Sequence, residues 1–150
     1  MCSTHLNNLV RPWVRLDTDA LIQFQTPAGT VYELAVGSDP DIRLDELILV
    51  PSGAATRRPL VAMEIKDGHD ISNAHNRAGE AEKSHLKAKE RGYQERWTIM
   101  VMRGLDWNQI SAETPSSTEV FDATEVRQRS GTSWENLKRK LSVVVGIPTP

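Results

Sequence analysis

The sequence predicts an α/β fold, and three features of the chain carry that expectation. Two hairpin-like patterns of apolar residues come first; a helix with an alanine face follows, and soon after it comes the apolar run RWTIMVM at residues 96–102. A strand, a helix and a strand in that order favour a parallel pair joined by a right-handed crossover. The expected architecture is a mixed sheet with an antiparallel hairpin, a crossover helix and flanking helices. At 150 residues, 39% hydrophobic and 25% charged, the chain suits one globular domain spanning 1–150.

Each element has its own signal. Residues 6–16 (LNNLVRPWVRL) show no single period; Pro12 interrupts any helix there, and Trp13 points to packing. Ala20 to Gln25 and Thr30 to Val36 read as strands around the turn signal Pro27-Ala28-Gly29. Asp41 to Val50 is a third strand, PSGAATRR (51–58) a loop, and Pro59 to Lys66 the returning antiparallel partner. A helix then starts near Ser72 or Asn73, both good N-cap residues, and stops by Gly92. Helical periodicity puts Ala74, Ala78, Ala81, His85 and Ala88 on one face, Asn76, Glu80, Lys83 and Lys87 opposite, and Glu82 and Lys89 on the flanks. Such small side chains allow close packing on a sheet. Residues 106–118 read as loop with some local structure, and Thr118 to Val126 as a further strand. Ser133 to Leu141 is an amphipathic helix carrying Trp134, Leu137 and Leu141 on one face, and residues 143–150 form a tail.

Composition narrows the functional classes. A single cysteine, Cys2, excludes an internal disulfide framework and a cysteine-rich zinc site and suggests a reducing compartment. No run approaches a membrane span, and residues 1–15 lack the apolar core of a signal peptide, so a soluble, cytoplasmic protein without a membrane partner is expected. The net charge of −2 is unevenly spread. Lys83, Lys87, Lys89, Arg91, Arg96 and Arg103 outweigh Glu90 and Glu95 over one stretch, which suits either a solvated helix face or a phosphate backbone.

The second hairpin concentrates charge where a sheet interior is expected. Glu64 and Lys66 share one side of their strand with Ala62, while Val61, Met63 and Ile65 fill the other. Charges there are costly unless something holds them. Asp41 and Asp45 share a face of the preceding strand, so carboxylates from two adjacent strands meet a lysine. A hard divalent cation such as Mg²⁺ takes one or two protein carboxylates together with waters and phosphate oxygens. A lysine beside it stabilises negative charge on a phosphate or positions water. Phosphodiester hydrolysis is the chemistry this set suits. A symmetric hairpin about the 51–58 loop puts Asp45 opposite Glu64, whereas a bulge or an asymmetric loop puts Asp41 there. Glu82, on the flank of the helix, is placed to orient Lys66 or a metal-bound water.

These residues resemble the PD-(D/E)xK nucleases, with Pro40-Asp41 and then Glu64-Ile65-Lys66. A longer passage, EIKDGHDISNAHNRAGEAEKSHLKAK at 64–89 with RWTIM at 96–100, resembles the XcyI family of type II restriction endonucleases. The resemblance implies a restriction-endonuclease-like core and Mg²⁺-dependent cleavage of double-stranded DNA at a short symmetric site of the CCCGGG type. By its pattern Asp41, Glu64 and Lys66 are catalytic, Asp41 and Glu64 hold the metal, and Asp45 is the alternative to Asp41. Two departures stand out. Asp67 follows the motif lysine where glycine is usual, and the family's enzymes are longer, which makes this a compact or truncated member.

Asn73, His75, Asn76 and Arg77 at the helix start offer donors suited to phosphates or base edges, and Lys83 and Lys87 follow on the polar face. N-capping and surface ion pairing explain the first four nearly as well. His69, His75 and His85 lack the spacing of a zinc motif, and His85 on the alanine face reads as a packing residue. Asp39, Glu46 and Asp67 read as surface carboxylates. Cutting both strands of a symmetric site implies a homodimer on DNA, and restriction implies a cognate DNA methyltransferase that does not bind stably. Two other readings share the fold: a catalytically silent DNA-binding module, and a structure-selective or repair nuclease.

Overall fold

The computed structural model describes residues 20–147 apart from 38, 39, 50, 67, 69 and 70. The readings made for residues 6–16, Asp39, Asp67, His69 and the end of the tail lie outside them. The described residues form a mixed six-stranded sheet whose strands lie side by side in chain order, with four α-helices. The strands are β1 (Ala20–Gln25), β2 (Val31–Val36), β3 (Ile42–Leu49), β4 (Ala55–Lys66), β5 (Glu95–Met100) and β6 (Glu119–Asp122). The helices are α1 (Ala74–Glu90), α2 (Trp107–Glu113), α3 (Ala123–Gln128) and α4 (Thr132–Val145). Strands β1 to β4 pair antiparallel, and β4, β5 and β6 pair parallel. Helix α1 makes the crossover from β4 to β5, as the strand-helix-strand pattern predicts.

The loop expected at 51–58 is shorter than its composition suggests. Strand β4 begins at Ala55, and Thr56, Arg57 and Arg58 pair with Ile48, Leu47 and Glu46. Proline, serine and glycine mark the turn correctly, with Gly53 at φ 86°. The arginines beyond it stay on the strand because carboxylates face them: Arg58 bonds Glu46, and Arg57 Nε donates to Glu33 at 2.9 Å. Further along, Leu44 pairs with Val61 but Asp45 pairs with Pro59, which leaves Leu60 as an extra residue on β4. Proline has no N–H for a ladder, so an irregularity beside Pro59 costs little.

Two further expectations are sharpened. Residues 106–118, read as loop with some local structure, contain α2; Asp106 caps it, accepting from the Asn108 amide at 2.9 Å, and Ile110 is its buried residue. A single buried position leaves no periodicity to read. Residues 118–126, read as a strand, divide at Asp122, which ends β6 and caps α3 by accepting from the Thr124 amide at 3.1 Å. Helix α4 also runs past Leu141 to Val145, where Gly146 at φ 68° ends it.

The core lies on both faces of the sheet. On one, Leu34, Ile42, Leu44, Met63, Trp97 and Phe121 join Trp134, Leu137 and Leu141 of α4, and Trp97 meets Phe121 edge-on with centroids 5.6 Å apart. On the other, α1 buries the alanine face with His85, as its periodicity predicts. Ala74 and Ala78 meet Met100, and Ala88 meets Ala62. Alternation along β4 thus sends Ala62, Glu64 and Lys66 to the side that α1 covers.

Candidate active site

The charged residues of the hairpin assemble where β3 begins and β4 ends. Ile42 pairs with Met63, so Asp41 stands one step further on, beside Glu64. One oxygen of Asp41, Oδ2, accepts the backbone N–H of Ile65 at 2.7 Å. That bond fixes the carboxylate at the strand end between Glu64 and Lys66. Glu64 is only 3% exposed and pairs with Thr98 of β5. The Lys66 side chain is 22% exposed, and its ammonium lies 3.5 Å from the Glu80 carboxylate of α1.

Asp45 belongs to a different cluster. It pairs with Pro59 on β4 and with Glu33 on β2, away from Glu64. Its Oδ1 accepts from the Tyr93 hydroxyl at 2.9 Å and its Oδ2 from Arg43 Nε at 3.1 Å. Burial pushes the Asp45 carboxyl upward, against the Tyr93 bond and Arg43. The same burial, reinforced by the charge of Asp45, raises the Tyr93 hydroxyl. Glu33, gripped by Arg57, Gln23 and Arg43, falls to about 2 chiefly through the Arg57 bond. This cluster ties β2, β3, β4 and the turn after α1 together.

Other residues expected at the site lie in varied surroundings. Glu82 turns to the segment before β6, where it accepts from Ser116 N at 2.8 Å and Ser116 Oγ at 2.6 Å, so Glu80 and not Glu82 is the helix carboxylate beside Lys66. Asn73 precedes α1 without a capping bond from its side chain. His75 Nδ1 meets the Glu113 carboxylate at 2.7 Å, joining α1 to α2. Asn76, Lys83 and Lys87 are exposed. Arg77 lies against Gly68 in the segment after β4: a Cβ at position 68 would stand 3.0 Å from Arg77 Nη1 and 3.3 Å from its Cδ and Cζ.

His85 is fully buried and bonds Thr98 Oγ1 through Nε2 at 2.8 Å. Thr98 donates onward to Ser117, whose hydroxyl reaches the Glu119 carbonyl at 2.7 Å. Thr98 therefore accepts from His85, which assigns the proton to Nε2. Burial lowers this imidazole to about 4, which keeps it neutral near pH 7. Its Nε2 is thus satisfied, while the buried Nδ1 has no hydrogen-bond partner among the described residues.

Sequence reading put Glu80 opposite the alanine face, toward solvent or DNA, and did not consider Thr98 or Tyr93. Helical periodicity does put Glu80 opposite the alanines, and it carries no sign that Lys66 of β4 stands 3.5 Å from it. Among the described residues no group of three or more His, Cys, Asp or Glu side chains forms a metal cage. Asp41 and Glu64 are a pair of hard oxygen donors, which fits a Mg²⁺-type ion whose other positions are filled by water and phosphate. A structural zinc site needs more ligands of another kind.

Comparison with known proteins places the chain in context. The family model described as XcyI restriction endonuclease matches residues 1–148. The type II restriction enzyme Cfr9I of Citrobacter freundii is 36% identical over 132 residues, covering 86% of this chain and 39% of the relative. The type II restriction enzyme XcyI of Xanthomonas campestris pv. cyanopsidis is 33% identical over 130 residues, covering 87% of this chain and 38% of the relative. The chain thus matches about two fifths of the length of these relatives. No solved structure matches.

Proposed function

Because this chain belongs to the XcyI restriction endonuclease family, we propose that it is the cleavage domain, on a restriction-endonuclease-like core, of a type II enzyme that hydrolyses double-stranded DNA at a short symmetric site of the CCCGGG type. The observation that carries this reading is the Asp41 carboxylate seated on the Ile65 amide at 2.7 Å, between Glu64 and Lys66. Those residues match the expected PD-(D/E)xK pattern, and Asp41 rather than Asp45 is the aspartate beside Glu64. Residues 1–150 act as one domain in this reading.

Asp41 and Glu64 would hold Mg²⁺, which when bound would polarise the phosphorus centre and lower the pKa of a bound water. The chain's own groups prepare the rest. The Ile65 amide orients Asp41, so that little reorganisation is needed when phosphate arrives. Burial of Glu64 strengthens its interaction with a cation, because the local dielectric is low. Lys66 offsets negative charge that grows on the phosphate oxygens and orients water toward phosphorus. Asn73, His75, Asn76 and Arg77, at the start of α1, contact the duplex in this reading, with Lys83 and Lys87 along the exposed helix face. In the cell the enzyme is cytoplasmic, acts as a homodimer on DNA, and is matched by a methyltransferase that protects the same sequence.

The test is digestion of a mixed plasmid library with Mg²⁺, with the ends sequenced. Ends at one palindromic sequence, cut only when unmethylated, support a restriction enzyme; ends scattered at branched structures support a repair nuclease. Glu64→Gln should abolish cleavage while DNA binding and folding persist. Equal cutting by Glu64→Gln and parent at saturating Mg²⁺ would sink the site. A second reading, a DNA-binding module without activity, draws on the chain's match to only 38–39% of its relatives; binding without any cutting by the parent would favour it.

A further inference from the structure

We propose that Glu80 is a positioning residue for Lys66, holding its ammonium at the strand end so that it meets the scissile phosphate in one orientation. The role in cleavage rests on the nuclease reading above; the contact itself does not. Lys66 Nζ lies 3.5 Å from Glu80 Oε2. Lysine has a flexible four-carbon stem and only a point charge at its end, so geometry must be imposed from outside. The strand fixes the Lys66 backbone, and α1 fixes Glu80 through the alanines on its opposite face.

Arg77 adds to the restraint. It stands one turn before Glu80 on α1 and lies over Gly68, two residues after Lys66. The helix therefore touches the chain leaving β4 at two places, the ammonium and the glycine. Glu80 is itself 64% exposed on its side chain, and the separation is longer than a tight charge-assisted bond. Such a pair is weak enough to let Lys66 keep its direction while an incoming phosphate competes for its charge.

The experiment compares parent, Glu80→Gln, and Glu90→Gln as a control that removes the same charge near the far end of α1. Acetylation of the metal-free proteins by an amine-reactive succinimidyl ester, followed by mass spectrometry, reads Lys66 against exposed Lys83. Breaking an exposed ion pair should raise the Lys66 rate roughly 1.5- to 5-fold in Glu80→Gln, the Boltzmann factor of its usual strength, and leave it unchanged in Glu90→Gln. On cognate plasmid Glu80→Gln should lower kcat about 3- to 10-fold with KM little changed, because it disturbs orientation and not binding. Raising Mg²⁺ should not restore the rate. An unchanged Lys66 labelling ratio would overturn the contact, and faster labelling with parental kcat would overturn its role in cleavage. Restoration by excess Mg²⁺ would reassign Glu80 to the cation and overturn the proposal too. A parent that cuts no DNA, together with faster labelling in Glu80→Gln, would leave the contact standing and remove the nuclease reading and the catalytic role built on it.

Discussion

Asp41 and Asp45 show how two aspartates on one face of a strand come to different chemistry. Asp41 sits at the strand end on the amide of Ile65, whereas Asp45 is enclosed by Arg43 and Tyr93. Asp41→Asn should therefore abolish cleavage with the fold intact. Asp45→Ala should leave chemistry largely in place but strip a partner from the buried Tyr93 hydroxyl, costing about 1–3 kcal/mol in urea unfolding. An active Asp41→Asn beside a dead, fully stable Asp45→Asn would reverse the assignment. His85 gives a second prediction, in pH. Its folded value of about 4 lies below the ordinary 6.5, so between those limits the unfolded chain binds more protons. Stability then falls as pH drops from about 6.5 to about 4, by up to roughly 3 kcal/mol. Glu33, depressed to about 2 from 4.5, adds a later loss below pH 4.5. His85→Gln should flatten the parental slope of urea midpoint against pH between 6.5 and 4.5 and keep the loss below it. A slope unchanged by the substitution would mean that the imidazole is not the group responsible.

At the scale of elements, what the sequence made legible was periodic and local. The alanine face of α1 and the side of β4 carrying Glu64 and Lys66 follow directly from periods of 3.6 and 2. The start of β4 was hidden, because Arg57 and Arg58 resemble loop residues until Glu33 and Glu46 stand opposite them. The register was hidden for the same kind of reason: because β4 starts early, Leu49 pairs with Ala55 and Asp45 falls opposite Pro59 instead of Glu64, and the extra residue at Leu60 then shifts the pairing by the one step that brings Asp41 beside Glu64. Of the candidate site, both carboxylates and the lysine were readable, but Glu80 was not, since a contact between a helix residue and the end of a strand has no period to show it. The α3–α4 connection offers a test of such long-range detail. Gly131 precedes α4 at φ 93°, and a Cβ there would be driven into the Glu125 carboxylate, which accepts the Ser133 amide at 3.2 Å. Gly146 also has positive φ, at 68°, but nothing stands near its Cβ direction. Gly131→Ala should cost about 1–3 kcal/mol in urea unfolding, and clearly more than Gly146→Ala. Equal losses would show that backbone strain alone matters at Gly131.

For the whole molecule, the demands of a symmetric DNA site lead to the last prediction. The two strands of a duplex run in opposite directions, so equivalent cuts need two active centres related by a two-fold axis. Among the described residues the candidate site is a single set, formed at one end of one hairpin. A net charge of −2 gives little general attraction to DNA, so the proposed reading requires binding to rest on local groups such as Arg77 and the lysines of α1. Two copies on one duplex double those contacts and should steepen the salt dependence by the number of phosphates the second copy neutralises. Light scattering on a short duplex containing the cleaved sequence should therefore give two chains per DNA, and supercoiled plasmid should pass to linear form with little nicked intermediate. One chain per duplex, with nicked circles accumulating before any linear product, would mean that each copy works alone. The 150 residues would then hold the chemistry of one strand's cut without the surface that pairs two copies, a division compatible with relatives more than twice as long.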